Sequence, residues 1–462
     1  MGVGVSGWEL ARAVSLAGQL GVVSGTALDQ ILARKLQLGD PDGHLRRAMN
    51  SFPDLEMVRR VQDAFYSPHG KSERGQFKAT PMFTLDMSNL LKELTVVATF
   101  SEIFLAKEGH DRPVGINLLE KVQLPNIFAI YGAMLADVDY VFMGAGIPRE
   151  IPGIIDRLAQ HLDVSLKISV EEAGAADEFQ INFSPQSFLR KKVSILKRPQ
   201  FIPIISSVTL ARMMHKKATG EINGFVVETP SAGGHNAPPR GKLILTDKGD
   251  PIYGKRDEVE IEEIKAIGLP FWLAGSWCSP EKLTDALSIG AQGIQAGTAF
   301  AFCNEAGITK QLKESVIQNI LRGNVSVLTD TKASPTDFPF KVLSLKGTLS
   351  ENDEYMGRKR ICDLGYLRHL YAKSNGSVGY RCPAEPAEAY IKKGGKPDRA
   401  ENRKCLCNAL LSNIGLGQCR NDGSFENSLI TAGNDILSIA RLLKNNHSYS
   451  AKDVIDWLSQ GR

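Results

Sequence analysis

The chain has 462 residues, 43% of them hydrophobic and 23% charged, with a formal net charge of +4. That suits a globular protein with one large core and an appended region, and so small a charge excess points to no nucleic-acid partner. No apolar run is long enough to span a bilayer, the start MGVGVSGWEL lacks a signal peptide's basic and apolar regions, and seven cysteines, an odd number, fit reduced thiols in a cytoplasmic setting.

Taken in order, residues 6–19 predict a helix, with Leu10, Val14 and Ala17 sharing a face, and residues 21–24 a short buried strand. Residues 39–85 are polar and carry Pro41, Pro53, Pro68 and Pro81, with a helix near 55–64. They read as an excursion, either a lid or, the favoured reading, a plain surface insertion. Helical periodicity returns over 85–107. A strand over 113–118 carries a polar side chain at Asn117, a residue that at a strand end commonly forms a turn. The next strand, 138–143, is followed by Gly144-Ala145-Gly146 and a helix from Pro148. Residues 164–198 alternate as VSLKISV and EFQINF and end in a basic run from Arg190-Lys191-Lys192 to Arg198, which reads as an inserted hairpin. A strand over 201–206 resumes the series.

Residues 222–242, INGFVVETPSAGGHNAPPRGK, open with an apolar run suited to a strand buried on both faces. Ala232-Gly233-Gly234-His235 follows, where two glycines allow close backbone approach and the imidazole suits proton transfer. Alone, GGH reads as a loop with a solvated histidine. A second stretch, residues 269–300, changes that weighting. It predicts a strand over 271–274, a Gly275-Ser276 turn, a helix from Ser279-Pro280, and a strand over 293–296 ending in Gly297-Thr298. Backbone N–H groups at such turns bind phosphate, and in a (β/α)8 barrel the loops after the last two strands are the usual phosphate site.

These motifs resemble those of the nitronate monooxygenase (2-nitropropane dioxygenase-like) family of FMN-dependent (β/α)8 barrels, to which flavin-dependent enoyl reductases are related. The family's AGGH loop matches Ala232–His235, its AGG turn matches Ala274-Gly275-Ser276, and its Q-x-G-T turn matches Gln295-Ala296-Gly297-Thr298. The resemblance covers roughly residues 1–335. It implies an α/β fold, a (β/α)8 TIM barrel, whose first strand is missing or truncated, because Met1-Gly2 already falls within the Gly-Met-Gly turn that follows that strand in the family. Seven barrel strands are therefore expected, with the first position empty or filled by a non-barrel segment. Asn117 matches a flavin-contacting asparagine. Two departures stand out: many members have Gln where Glu228 stands and Glu where Ser231 stands. A carboxylate at Glu228 disfavours an anionic reduced flavin unless it is protonated or turned away.

Residues 333–429 exceed a minimal barrel. The segment 341–420 holds 15 Lys+Arg against 8 Asp+Glu, and Cys362, Cys382, Cys405, Cys407 and Cys419 lie there. Their spacing matches none of the common ligand patterns, so the reading includes no metal, although a zinc or iron–sulfur site is the weighed alternative to buried thiols. A longer subgroup of the family has similar tails, with the runs SPTDFPFK (residues 334–341) and CLCN (residues 405–408). Residues 430–443 and 451–458 predict closing helices that pack on the barrel, the second N-capped by Ser450.

The domain reading is thus a barrel over 1–332 with insertions at 39–85 and 164–198, an extension over 333–429, and terminal helices over 430–462. The resemblance implies an FMN enzyme that oxidises nitroalkanes or nitronates with O2 to a carbonyl compound and nitrite. His235 would be its base or nitronate anchor. Asn117, Glu228, Gly233, Gly234, Gly275, Ser276, Gln295, Ala296, Gly297 and Thr298 would bind the cofactor. One alternative is an NAD(P)H-dependent enoyl-thioester or quinone reductase, and another a non-catalytic flavin-binding protein with a partner-binding tail. The partners expected are a small-molecule substrate and O2, with no nucleic acid and no membrane. Oligomeric state stays open.

Overall fold

Seven short apolar runs form the centre of the molecule. In the computed structural model, which describes residues 2–174, 176–191, 194–443 and 447–460, they make one sheet. Its strands are β1 (Gly21–Ser24), β2 (Val114–Leu119), β3 (Tyr140–Gly144), β4 (Gln200–Ile205), β5 (Phe225–Glu228), β6 (Phe271–Ala274) and β7 (Gly293–Gln295). They are parallel and neighbour one another in chain order. Each connection carries at least one helix, the arrangement parallel strands require.

Alternation along the strands sorts the side chains into two layers. Phe142, Ile202, Val226 and Ala274 form an inner cluster with Val22, Tyr140 and Trp272 packed against it. Val23, Ile116, Val141, Phe201, Val227 and Leu273 join the larger cluster shared with the helices. Both faces are covered, as in a TIM barrel. Glu228 lies two residues beyond Val226 on the inward set, and Asn117 alternates with outward Ile116 and Leu118.

The barrel does not close among the described residues: β1 and β7 are the ends of the sheet and do not pair. The gap between them is lined by Leu20 and Val22 on one side and Ile294 and Gln295 on the other. Residues 2–6 form no strand, in keeping with the expected seven. Ser6 instead partly caps the β1 edge, accepting a hydrogen bond from Ser24 N at 2.8 Å and donating one to Val22 O at 2.6 Å. Close packing seats the first helix here. A Cβ on Gly21 would fall 1.9 Å from Ala11 O, so only glycine lets Trp8–Leu16 lie against β1.

The excursion after β1 contributes helices His44–Asn50 and Leu55–Phe65, which bury Ala48, Met49, Met57, Val58, Val61 and Phe65 against the 19-residue helix Asn89–Lys107. It is part of the outer core. Residues 164–183 hold the antiparallel pair Val164–Lys167 and Gln180–Phe183, the hairpin that alternation predicts. Lys192, in the basic run that follows, lies outside the described residues. The helix expected from Pro148 starts later, at Ile151.

The extension is tied to the barrel at both insertions. Val170–Glu171 adds a parallel strand to the hairpin His369–Ala372 and Val378–Arg381. Phe83 O accepts from Arg368 at 2.6 Å, and Leu85 N donates to Tyr380 Oη at 2.8 Å. The predicted helix over 430–443 is mostly not one. Residues 430–435 are irregular, and helix begins only in a 3-10 turn at Ile436–Ser438 before Ile439–Leu443. The apolar spacing there misled, because residues 431–435 pack against loops of the site rather than against a helix layer. Ala451–Ser459 is a helix, capped by Ser450 and Asp453 as a capping box. No helix among the described residues is long and apolar enough to cross a membrane.

Glu171 concentrates the attachment of the extension. It accepts from His369 Nδ1 at 2.9 Å and from Arg381 at 2.7 Å, with Arg399 at 3.4 Å. The hydrogen bond from His369, followed by Arg381, outweighs burial and lowers its carboxyl from 4.5 to about 2. A depressed carboxyl contributes its stability in full above its unfolded value and loses it as pH falls through the folded one. Glu171→Gln is therefore expected to lower the melting temperature at pH 7. Its deficit relative to the parent should shrink between about pH 4.5 and pH 2, as followed by circular dichroism.

Candidate functional site

The loops after β5, β6 and β7 meet at one end of the barrel. After β5 the chain turns through Thr229 and Ala232, the Ala232 N–H donating to Thr229 O at 3.2 Å. Gly233 then passes so close to the closing segment that a Cβ would lie 3.0 Å from Ala432 C and Gly433 N. Gly234 has φ +84°, a conformation glycine adopts without strain, and its N–H donates to Thr431 Oγ1 at 2.8 Å. After β6, Gly275 has φ +86°, and a Cβ there would sit 2.3 Å from Thr229 Oγ1. Ser276 follows at φ +54°. The N–H groups of Gly275, Ser276, Gly297 and Thr298 donate to no acceptor among the described residues.

Two adjoining cavities hold all the candidate residues. The larger, about 340 Å³, runs from the turns at Gly275-Ser276 and Ala296-Gly297-Thr298 down into the gap between β1 and β7. The smaller, about 100 Å³, is lined by Asn117, Gly234 and His235. Glu228, Gly233 and Gln295 line both and mark where they join. Neither the larger cavity nor its turns carry a lysine or arginine among the lining residues, so an anion there meets neutral donors: backbone N–H groups, hydroxyls, and the amides of residues such as Gln292 and Gln295.

His235 is held on one side. Its Nε2 is paired with Ser334 Oγ at 2.7 Å, its ring packs edge-on to Phe340 at 4.9 Å between centroids, and among the described residues Nδ1 has no partner. Burial lowers the imidazole from 6.5 to about 4, so it is neutral at pH 7. Glu228 faces the junction rather than turning away, and burial raises its carboxyl to about 7. Near neutrality a large share of Glu228 is thus uncharged, one of the two conditions under which the departure from Gln is tolerable beside a reduced flavin.

The roof of the smaller cavity comes from the extension, which motif reading did not place at the site. Phe340, Tyr366, Leu367, Leu406, Cys407 and Leu410 line it. Tyr366 is fixed from behind, its hydroxyl within 2.5 and 2.6 Å of the two carboxyl oxygens of Asp29, which burial raises to about 6. Thr431, Ala432 and Asp435 wall the turns, with Thr298 Oγ1 accepting from Gly433 N at 2.8 Å. Burial raises the Asp435 carboxyl. A run of small and polar residues after Ile430 was the available signal, masked by apparent helical spacing.

Comparison with known proteins bears on the family and the fold. The model of the family described as nitronate monooxygenase matches residues 99–331, half of the chain. A Bacillus subtilis protein named "probable nitronate monooxygenase" is 27% identical over 165 residues, covering 35% of this chain and 43% of that one. A Mycobacterium tuberculosis hydroxy-methyl-oxo-octahydroindene-carboxyl-CoA dehydrogenase is 26% identical over 122 residues, covering 26% and 31%. The chain spans between 31% and 58% of the length of the curated relatives it matches. The structure of FabK from Thermotoga maritima superposes with a TM-score of 0.50 at 15% identity, over 99% of this chain and 89% of that one, a likeness of fold.

Ser334→Ala removes the only hydrogen bond His235 makes through its ring among the described residues. The expected result is a loss of about 1 kcal/mol in positioning, roughly a five-fold fall in kcat/KM, together with a lower melting temperature because the buried Ser334 hydroxyl also pairs with Thr336. Steady-state kinetics and a melting curve check both parts.

Proposed function

The chain belongs to the nitronate monooxygenase family, and from that premise we propose that it is an FMN-dependent oxidoreductase. Its substrates are alkyl nitronates and the nitroalkanes they derive from, which it oxidises with O2 to a carbonyl compound and nitrite. The observation that carries this reading is His235, a neutral imidazole whose Nδ1 has no partner among the described residues, in a cavity continuous with two turns whose N–H groups donate to no acceptor among those residues.

The donor set fits FMN. Gly275, Ser276, Gly297 and Thr298 would hold its phosphate through N–H groups that no acceptor among the described residues uses, and Gln295 and Ala296 border the path toward the junction. Asn117, Glu228, Gly233 and Gly234 would surround the ring system. No separate Gly-rich unit for an adenosine is evident, which favours FMN over FAD. When bound, FMN supplies the redox chemistry, accepting electrons from the substrate and delivering them to O2.

His235 takes the α-proton of a nitroalkane on Nδ1, since Nε2 is held by Ser334. The nitronate left behind lies against the new imidazolium, and the pair offsets the cost of burying each charge. The roof of Phe340, Leu367, Leu406 and Leu410 keeps water from the carbanion. Those same leucines favour a second reading, in which a longer acyl thioester occupies the cavity and NAD(P)H is the reductant.

Absorbance of the purified flavoprotein under anaerobic conditions separates the two. Bleaching by nitronate but not by NADH or NADPH supports the first reading, and bleaching by the nicotinamide alone assigns the second. A general base of this kind contributes ~10²–10⁴-fold. His235→Asn is therefore expected to keep FMN bound, to lose most activity on neutral nitroalkanes, and to lose much less on nitronates, which arrive deprotonated. Equal losses on both substrates with FMN retained contradict the proton-transfer role.

A further inference from the structure

Four of the seven cysteines, Cys362, Cys382, Cys405 and Cys407, line a single cavity inside the extension. They come from three separate stretches of chain, so the fold collects them rather than local spacing. All seven cysteines are free thiols. Among the described residues no group of three or more His, Cys, Asp or Glu side chains is placed to hold a metal ion. Within this cavity Cys362 and Cys382 lie close enough that each thiol is the chief influence on the other's acidity. Cys405 Sγ instead accepts from Asn408 Nδ2 at 3.5 Å. The other walls, Pro335, Leu364, Leu367, Ala384 and Leu406, are apolar, and the space of about 10 Å³ admits one water-sized molecule.

We propose that Cys362 and Cys382 are a reversible dithiol–disulfide pair whose oxidant is hydrogen peroxide. Cys362 is half-buried and Cys382 buried, which sets the order of attack. The Cys362 thiolate attacks one peroxide oxygen; an S–O bond forms, the O–O bond breaks, and the departing hydroxide takes a proton to leave as water. Cys382 sulfur then attacks the sulfenic sulfur; the S–S bond forms, the S–O bond breaks, and a second water leaves with the Cys382 proton. Two thiols lose two electrons, and one peroxide becomes two waters. Their mutual interaction holds the Cys362 thiol below its usual range and the Cys382 thiol well above it, an asymmetry that suits an attacking and a resolving partner.

The pair bears on the active site through shared walls. Leu367, Leu406 and Cys407 line both this cavity and the one containing His235. Drawing the two sulfurs to bonding distance shifts that roof. The inference is independent of which substrate the site takes.

The test uses the full-length protein, hydrogen peroxide as the probe, thiol titration and non-reducing peptide mapping. One equivalent of peroxide is expected to remove two titratable thiols and yield a single linked peptide joining Cys362 to Cys382, both reversed by dithiothreitol. In Cys382→Ser the linked peptide should be absent and dimedone should label Cys362; in Cys362→Ser neither product should form. A disulfide between other cysteines, retention of all seven thiols in excess peroxide, or a stoichiometric metal found by elemental analysis of the untreated protein overturns the proposal.

Discussion

A short antiparallel pairing between the loop after β5 and the start of the extension holds the site together. Asn236 N donates to Pro339 O and Lys341 N to Gly234 O, each at 2.9 Å, with His235 opposite Phe340 between them. This one step fixes the backbone on both sides of the candidate base. It also presents Ser334 to His235 and lays Phe340 against the ring. The extension segment is itself pinned from the far side. Arg403 and Arg399 bind Asp337, Arg403 also binds Ser334 O, and His369 Nε2 is 2.8 Å from Pro335 O. Lys341 anchors the next residues, its buried ammonium donating to Thr329 Oγ1 at 2.6 Å and Asn434 Oδ1 at 2.8 Å. Burial lowers it to about 8, outweighing the attraction of Asp250.

That clasp explains the electrostatics of the site. A barrel mouth open to water would leave His235 and Glu228 near their ordinary values. Covered by the extension, both shift toward the neutral form, the imidazole down and the carboxyl up. Asp435, in the segment that follows the extension, shifts the same way. The cavity therefore holds little fixed charge of its own. Charge arriving with a phosphate or forming on a substrate is met by oriented donors rather than by lysine or arginine.

Much of this was legible in the sequence, for a physical reason. Barrel strands are buried on both faces and glycine turns need positive φ or close approach, so residues 224–228 and Gly275 announced themselves locally. The gap beside β1 was legible too, through the family's order of strands and turns. The roof was not. Tyr366, Leu406 and Cys407 lie more than 100 residues from His235 and carry no local signature, being ordinary core residues whose neighbours only the tertiary fold decides. Residues 431–435 failed differently: their apolar spacing suggested a helix, but Gly433 approaches Thr298 and Ser231 too closely for a helix to run there. The cysteines likewise lacked a recognisable spacing, because the chain brings Cys362 and Cys382 together across the hairpin between them.

The central claim is that barrel and extension build one flavin site together. Amide hydrogen exchange of the full chain, with and without added FMN, tests it most directly. Protection is predicted in the peptides carrying Gly275-Ser276 and Gln295–Thr298, and equally in extension peptides covering residues 334–341 and 405–410. Protection confined to the barrel turns, with the extension peptides exchanging unchanged, would contradict it.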